Sequence, residues 1–494
     1  MALEPEAVEP DVEDEVGTGR RILVNAGYRT IADVGSKIIS IALYVVMARK
    51  LGDAGFGVFT FGLSFVTLVT TLGDFGQDRI LTREVARDRH ALTDYLGNTL
   101  ALKLSLATPA LVVATGFLAI SGAERETQLV VLILGLAVIA ELLMSTEFSV
   151  FQAFERMAPL PIVLISQRLV TATVGTIALL QGAGVVAVAT IYLLGALFAL
   201  LLSTWFLVRL ERPDLTVDRS RWWPLMRAAI PVGLAGVFAT VLFRIDTAML
   251  AAYESDSVVG NYGAAYRLLE TTLFLSWSIG AAVYPVFSRL SRNSQPPIAR
   301  LYERSLQLVI AVTLPLAVGA AILARPLIEL LYTSEFSEAA DALVLLAPAI
   351  ALFPVCYITG YLLVSQDRQI VSTYTYGIVA VENILLNLVL IPAFSLRGAA
   401  AGSSISYVIV LIVVLTFARR LAGPVDWKRI LLSSVLASAA AGAAMWFLND
   451  SFFAAVAAGV MAYVGVFLVV ERLAFGTTLR SLAGLVRDPA DAES

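Results

Sequence analysis

Apolar runs of about 20 residues recur along almost the whole chain, separated by short polar turns. A helix needs about 20 apolar residues to cross the roughly 30 Å hydrocarbon core of a bilayer. The pattern predicts about 14 such helices. They start near Asn25, Phe56, Leu96, Thr127, Pro159, Gly184, Trp223, Val258, Ser305, Ala339, Gln369, Leu396, Trp427 and Ser451. Gly, Ala and Ser are frequent inside the runs, as helices that pack closely in lipid require. Asp78 to Ala91, after the second span, reads as an amphipathic segment lying along the membrane surface, and Leu473 to Arg487, after the last, as either such a segment or an ordinary charged loop. Pro231, Pro315 and Pro348 fall inside predicted spans, where they kink helices whether or not the bend serves motion. The expected class is an all-α polytopic membrane protein.

Basic residues then orient the spans. They concentrate in alternate loops, around Arg79 to Arg89, Arg156, Arg209 to Arg227, Arg289 to Arg304, Arg368 and Arg419 to Arg429, and near both ends of the chain. The opposite loops hold Arg49, Lys50, Arg125, Arg325 and Arg397. The positive-inside rule places both termini in the cytoplasm and requires an even number of spans. Residues 1–22 read as an acidic cytoplasmic tail. No Lys or Arg precedes Arg20, so the basic n-region of a cleavable leader is not expected.

The turn after the first span, Leu51-Gly-Asp-Ala-Gly-Phe-Gly-Val-Phe59, is echoed after the seventh by Tyr253-Glu-Ser-Asp-Ser-Val-Val-Gly-Asn-Tyr262. Gly57 then matches Gly260, and Phe59 matches Tyr262. About six spans separate the copies, so both halves start on the same side, as parallel repeats do. The expected organisation is an N-lobe over 23–210, a cytoplasmic linker at 211–222 and a C-lobe over 223–421. Two extra spans at 422–472 and a tail at 473–494 follow.

Composition supports this class and removes others. Of 494 residues, 58% are hydrophobic and 15% charged, with a net charge of −4; mean hydropathy is +0.82. No basic patch stands apart from the loops, so nucleic acid is not an expected partner. Cys356 and His90 are each alone, which leaves no thiol or imidazole metal site, and neither a metal nor an organic cofactor is expected. Asp74-Phe75-Gly76 matches a kinase magnesium motif only by letters, with no phosphate loop to accompany it.

What remains is charge inside the spans. Arg29, Lys37, Lys103, Arg168, Arg244 and Arg267 are cationic; Asp33, Glu141, Glu147, Asp246, Glu270 and Glu382 are anionic. Asp74 sits near the end of the second span. Arg29, Asp33 and Lys37 follow one another at four-residue spacing, on one helical stripe. A charge at the centre of a lipid-facing helix costs roughly 2.5–3.5 kcal/mol, so such residues face protein or a wet cavity. They serve either as ligand contacts or as partners for each other. Arg29–Asp33, Asp33–Lys37 and Arg267–Glu270 have the right spacing for local pairs.

Met47 to Phe59, Asp74-Phe-Gly76, Arg83-Glu-Val-Ala86, Arg244-Ile-Asp-Thr-Ala-Met-Leu250, Gly260-Asn-Tyr-Gly-Ala-Ala-Tyr266 and Tyr284-Pro-Val-Phe-Ser288 together resemble the oligosaccharide flippases. These are the polysaccharide-transporter, Wzx-like branch of the multidrug/oligosaccharidyl-lipid/polysaccharide superfamily, and the likeness covers roughly residues 20–475. The extra pair of spans resembles the lipid II flippases of that superfamily. The resemblance implies two six-helix lobes, a central V-shaped cavity and alternating access. It also implies a lipid-linked oligosaccharide as cargo, moved to the outer leaflet, with glycan polymerases or glycosyltransferases as pathway partners. On that reading Arg29, Lys37, Arg244 and Arg267, then Arg168 and Lys103, are the expected contacts for a pyrophosphate headgroup. Asp33, Glu141, Asp246, Glu270 and Glu382 are candidates to carry a coupling proton or sodium ion, or to pair within the cavity. A multidrug–cation antiporter of the same superfamily is the alternative, although a basic cavity suits cationic drugs poorly. A membrane glycan polymerase needs larger outer loops than these.

Overall fold

The computed structural model describes residues 12–213, 215–289, 295–366 and 368–475, which form helices and turns. Within those helices the side chains of 12–26, 29, 30, 33, 232 and several positions between 274 and 297 lie outside the described residues. In chain order the helices are α1 (Val12–Asp74), α2 (Gln77–Arg87), α3 (Ala91–Ile120), α4 (Arg125–Ala153), α5 (Pro159–Leu180), α6 (Val185–Leu210) and α7 (Trp222–Tyr253). Then come α8 (Asp256–Arg289), α9 (Gln295–Ile322), α10 (Ala324–Leu331), α11 (Ser337–Ser365), α12 (Gln369–Ala422), α13 (Trp427–Phe447) and α14 (Phe452–Phe475).

Eleven helices among the described residues are long and apolar enough to cross a membrane. The apolar runs predict three more segments than this, because α8 is not among the eleven and α1 and α12 each absorb two of them. Each of these two is broken by one non-helical residue. Gly52 (φ 70°) breaks α1, where the missing Cβ makes a positive φ inexpensive. Ser395 (φ 56°) breaks α12, and a side chain there makes the same kind of backbone cost about 1–3 kcal/mol. The amphipathic stretch after the second span is α2, which buries Gln77, Ile80, Leu81 and Val85 against its neighbours. The other, at 473–487, lies mostly outside the described residues. A short helix, α10, and a turn at Ser334–Phe336 connect α9 to α11.

Helices α1 to α6 pack among themselves, and so do α7 to α14; α1 joins the two groups by also crossing α7 and α8. The crossing with α8 is reciprocal. A Cβ on Gly57 would collide with the Asp256 carbonyl oxygen, and a Cβ on Gly260 with that of Asp53. The two glycines matched in the repeat therefore pack backbone to backbone against each other. Around them lies a continuous apolar core with Phe56 and Phe59 of α1, Val130 of α4, Tyr262 of α8 and Phe336 before α11. The Arg49 guanidinium closes the same end by donating to the Leu330 and Leu331 carbonyls of α10.

Candidate functional site

A cavity of about 380 Å³ opens between the two helix groups. Its lining includes Lys37, Ser40 and Tyr44 of α1, Glu141 and Ser145 of α4, Arg168 of α5 and Tyr192 of α6. From the other group come Arg244 of α7 and Arg267 and Glu270 of α8. Among the described residues of the lining, four cations that are far apart in sequence converge on one space against two carboxylates, an excess of two positive charges.

The cations are held rather than loose. Glu270 accepts from Arg244 at 2.8 Å with one oxygen and from Arg267 at 2.7 Å with the other. Both carboxylate oxygens are thus engaged by guanidinium, a charge-assisted arrangement about twice as strong as a neutral hydrogen bond. The Arg267 guanidinium also lies 4.2 Å from the centre of the Tyr44 ring. Across the cavity, Arg168 donates to the Tyr192 hydroxyl at 3.1 Å and reaches Glu141 at 3.5 Å. Glu141 further accepts from Gln167 at 2.9 Å and from Tyr192 at 3.2 Å. Each guanidinium has five N–H donors, so these bonds leave donors to spare for an anion. The local pairing expected for Arg267 and Glu270 is present, and the same residues line the cavity.

Three expected site residues lie elsewhere. Lys103 does not line the cavity. It is 1% exposed, and its ammonium meets Asp74 at 2.8 Å and Asp78 at 2.7 Å. Ser145 donates to Asp78 at 2.7 Å and Thr146 at 2.9 Å, completing a network that ties the α1–α2 turn to α3 and α4. Asp246 does not face the α1 stripe either. It lies two residues from Arg244, and positions i and i+2 of a helix point to different faces. With Arg244 in the cavity, Asp246 turns into its own helix group. There it accepts from the Tyr262 hydroxyl at 3.0 Å, from Asn387 at 2.5 Å and from the Ser403 hydroxyl. Glu382 joins the same group, accepting from Ser406 at 2.9 Å, while Asn383 donates to Ser406 at 3.1 Å and Asn387 to Asn383 at 3.1 Å. Glu147 accepts from Thr204 at 2.6 Å, outside the cavity. Arg29 and Asp33 have side chains outside the described residues.

The sequence reading missed the neutral members of these sites: Tyr44 and Tyr192 in the cavity, and Asn383, Asn387, Ser403 and Ser406 around Asp246. One signal was available. Asn383 and Asn387 are two amides at i, i+4 inside an apolar helix, where they share a face. No group of three or more His, Cys, Asp or Glu that could hold a metal occurs among the described residues. The groups that face Asp246 are the Tyr262 and Ser403 hydroxyls and the Asn387 amide nitrogen, all of them neutral. The Asn387 Oδ1 and Glu382 Oε1 atoms of that network are buried without a hydrogen-bond partner.

Residues 22–291 match the family model described as polysaccharide biosynthesis protein, and residues 231–389 match that of MatE. A probable low-salt glycan biosynthesis flippase of Haloferax volcanii is 25% identical over 374 residues, spanning 73% of this chain and 76% of its own. A probable lipid II flippase of Bdellovibrio bacteriovorus is 28% identical over 232 residues, spanning 44% and 43%. Among solved structures, a lipid II flippase in an inward closed conformation superposes with a TM-score of 0.75 at 14% identity, over 90% of this chain and 98% of its own. An inward-facing multidrug transporter does so with a TM-score of 0.63 at 14% identity, over 78% and 94%. These likenesses show the fold. With more than half its length matched by one family model, the chain belongs to the polysaccharide biosynthesis protein family.

Proposed function

We propose that this multi-pass membrane protein flips a glycan linked to a polyprenyl pyrophosphate, from the cytoplasmic to the outer leaflet, by alternating access to the central cavity. The observation that carries the reading is the convergence of Lys37, Arg168, Arg244 and Arg267, from both halves of the chain, with an excess of two positive charges. A pyrophosphate diester is doubly anionic. Guanidinium donors replace its lost hydration, while the lipid tail remains in the bilayer. Arg29 belongs with these contacts by its place on the Lys37 stripe in sequence. Lys103 does not, since its charge is already spent on Asp74 and Asp78.

The architecture in this proposal has 14 passes. The breaks at Gly52 and Ser395 divide α1 and α12 into two passes each, and α8 supplies one more. Six passes form each lobe, over 23–210 and 223–421, α13 and α14 are the added pair, and both termini are cytoplasmic. Coupling is assigned to the Asp246 network. That carboxylate is buried among neutral partners and takes up a sodium ion or a proton.

The test is transport of a fluorescent lipid-linked oligosaccharide across vesicles containing the purified protein. Arg244→Ala and Arg168→Ala should each cut the rate by tenfold or more, since one charge-assisted contact contributes about 1.5–3 kcal/mol. Normal rates in both variants, with the protein folded, would remove the cavity from the mechanism.

A further inference from the structure

A second concave site of about 400 Å³ lies where the end of α4, the start of α5 and the end of α6 come together. Its walls include Tyr28, Glu155, Arg156, Met157, Phe206 and Arg209. The backbone that presents Arg156 is fixed. The Arg156 N–H donates to the Phe151 carbonyl and the Glu155 N–H to that of Gln152, the two bonds of a Schellman closure. The left-handed position of that closure is held by Glu155 (φ 55°) rather than by glycine. A side chain there costs about 1–3 kcal/mol, and such strain concentrates at ligand sites.

Arg209 is fixed differently. Its guanidinium lies 3.9 Å from the centre of the Trp205 ring. Trp205 is 46% exposed near the polar end of an apolar helix, where indoles sit at the membrane–water boundary. Among the described residues neither Arg156 nor Arg209 forms an ion pair. Among the described residues of the lining, these two arginines stand beside the apolar side chains of Phe151, Met157, Phe206 and Leu210.

We propose that this pocket binds the phosphodiester headgroup of an anionic membrane phospholipid. Arg156 and Arg209 hold the phosphate, and the acyl chains run along the apolar flank of α6. Position separates this ligand from the cargo: the lining of this pocket shares no residue with that of the central cavity. The pocket also includes Tyr28, which is nine residues before Lys37 and so about 13.5 Å away along α1. A bound lipid therefore ties the start of the cavity-lining helix α1 to the ends of α4 and α6. The inference does not depend on what the cavity transports.

The experiment compares spin-labelled phosphatidylglycerol and phosphatidylcholine on the full-length protein in phosphatidylcholine nanodiscs, with thermal unfolding as a second readout. The wild type should prefer phosphatidylglycerol and unfold at a higher temperature when it is present. Arg156→Gln with Arg209→Gln should weaken the preference about tenfold, the equivalent of 1.4 kcal/mol, and remove the thermal shift. The cavity variant Arg244→Ala should keep both. An unchanged preference in the double variant overturns the proposal, and so does its loss in Arg244→Ala alone. Displacement of the lipid by millimolar inorganic phosphate would overturn the lipid assignment in favour of free phosphate.

Discussion

Asp78 and Asp246 are carboxylates enclosed between helices, one in each half of the chain, and they meet opposite company. Asp78 shares Lys103 with Asp74 and takes two hydroxyl donors, Ser145 and Thr146. Asp246 has only neutral partners: a phenol, an amide and a hydroxyl. A buried ion pair compensates its own desolvation, and its removal leaves an uncompensated charge. An enclosed carboxylate among neutral dipoles has no such internal partner, so a mobile cation or a proton can complete it. The first cluster reads as a fixed joint between α1, α2, α3 and α4. The second is the place whose occupancy changes in the mechanism proposed above.

Removing the fixed cation should produce the largest effect. Lys103→Met leaves the half-buried Asp74 and Asp78 facing each other without their shared cation and should destabilise the protein by about 3 kcal/mol, read as a drop in thermal midpoint in detergent. Adding Asp78→Asn should recover most of that loss. If Lys103→Met were neutral, the contrast between the clusters would collapse. Asp246→Asn, by comparison, should leave the thermal midpoint nearly unchanged and cut transport by tenfold or more. Any rise in midpoint with sodium, or any proton-gradient dependence of transport, should vanish in that variant. A variant that transports normally under either gradient would move coupling away from Asp246. The smallest effect belongs to Thr146→Val, which removes one neutral donor from Asp78 and should cost about 1 kcal/mol, with transport retained.

The convergence of Lys37, Arg168, Arg244 and Arg267 was legible because charge in lipid is expensive and has few permitted locations. The spans were legible for the related reason that apolar length is imposed by bilayer thickness. The break at Ser395 was legible as a boundary, since a predicted span starts at Leu396; its positive φ was not, because no glycine occupies that position. The partner of Lys103 was hidden because Asp78 belongs, by sequence, to a surface segment; only the turn at Phe75 and Gly76 brings it back against α3. Asn383, Asn387 and Ser403 carried little contrast, because neutral polar residues are tolerated in helix interfaces throughout such proteins. The face of Asp246 followed from its offset from Arg244 alone, once Arg244 was assigned to the cavity.

Gly57 and Gly260 have a last consequence. Each packs on the carbonyl four residues before the other, Asp256 and Asp53 respectively. Residue i touching j while the counterpart of i touches the counterpart of j is the signature of an isologous contact, the kind that joins identical subunits in a two-fold dimer. Here both subunits are written into one polypeptide. Such a seam has no privileged partner, so Gly57→Ala and Gly260→Ala pry apart the same surface from its two sides. A methyl group added to either half at this crossing therefore displaces the backbone of the other.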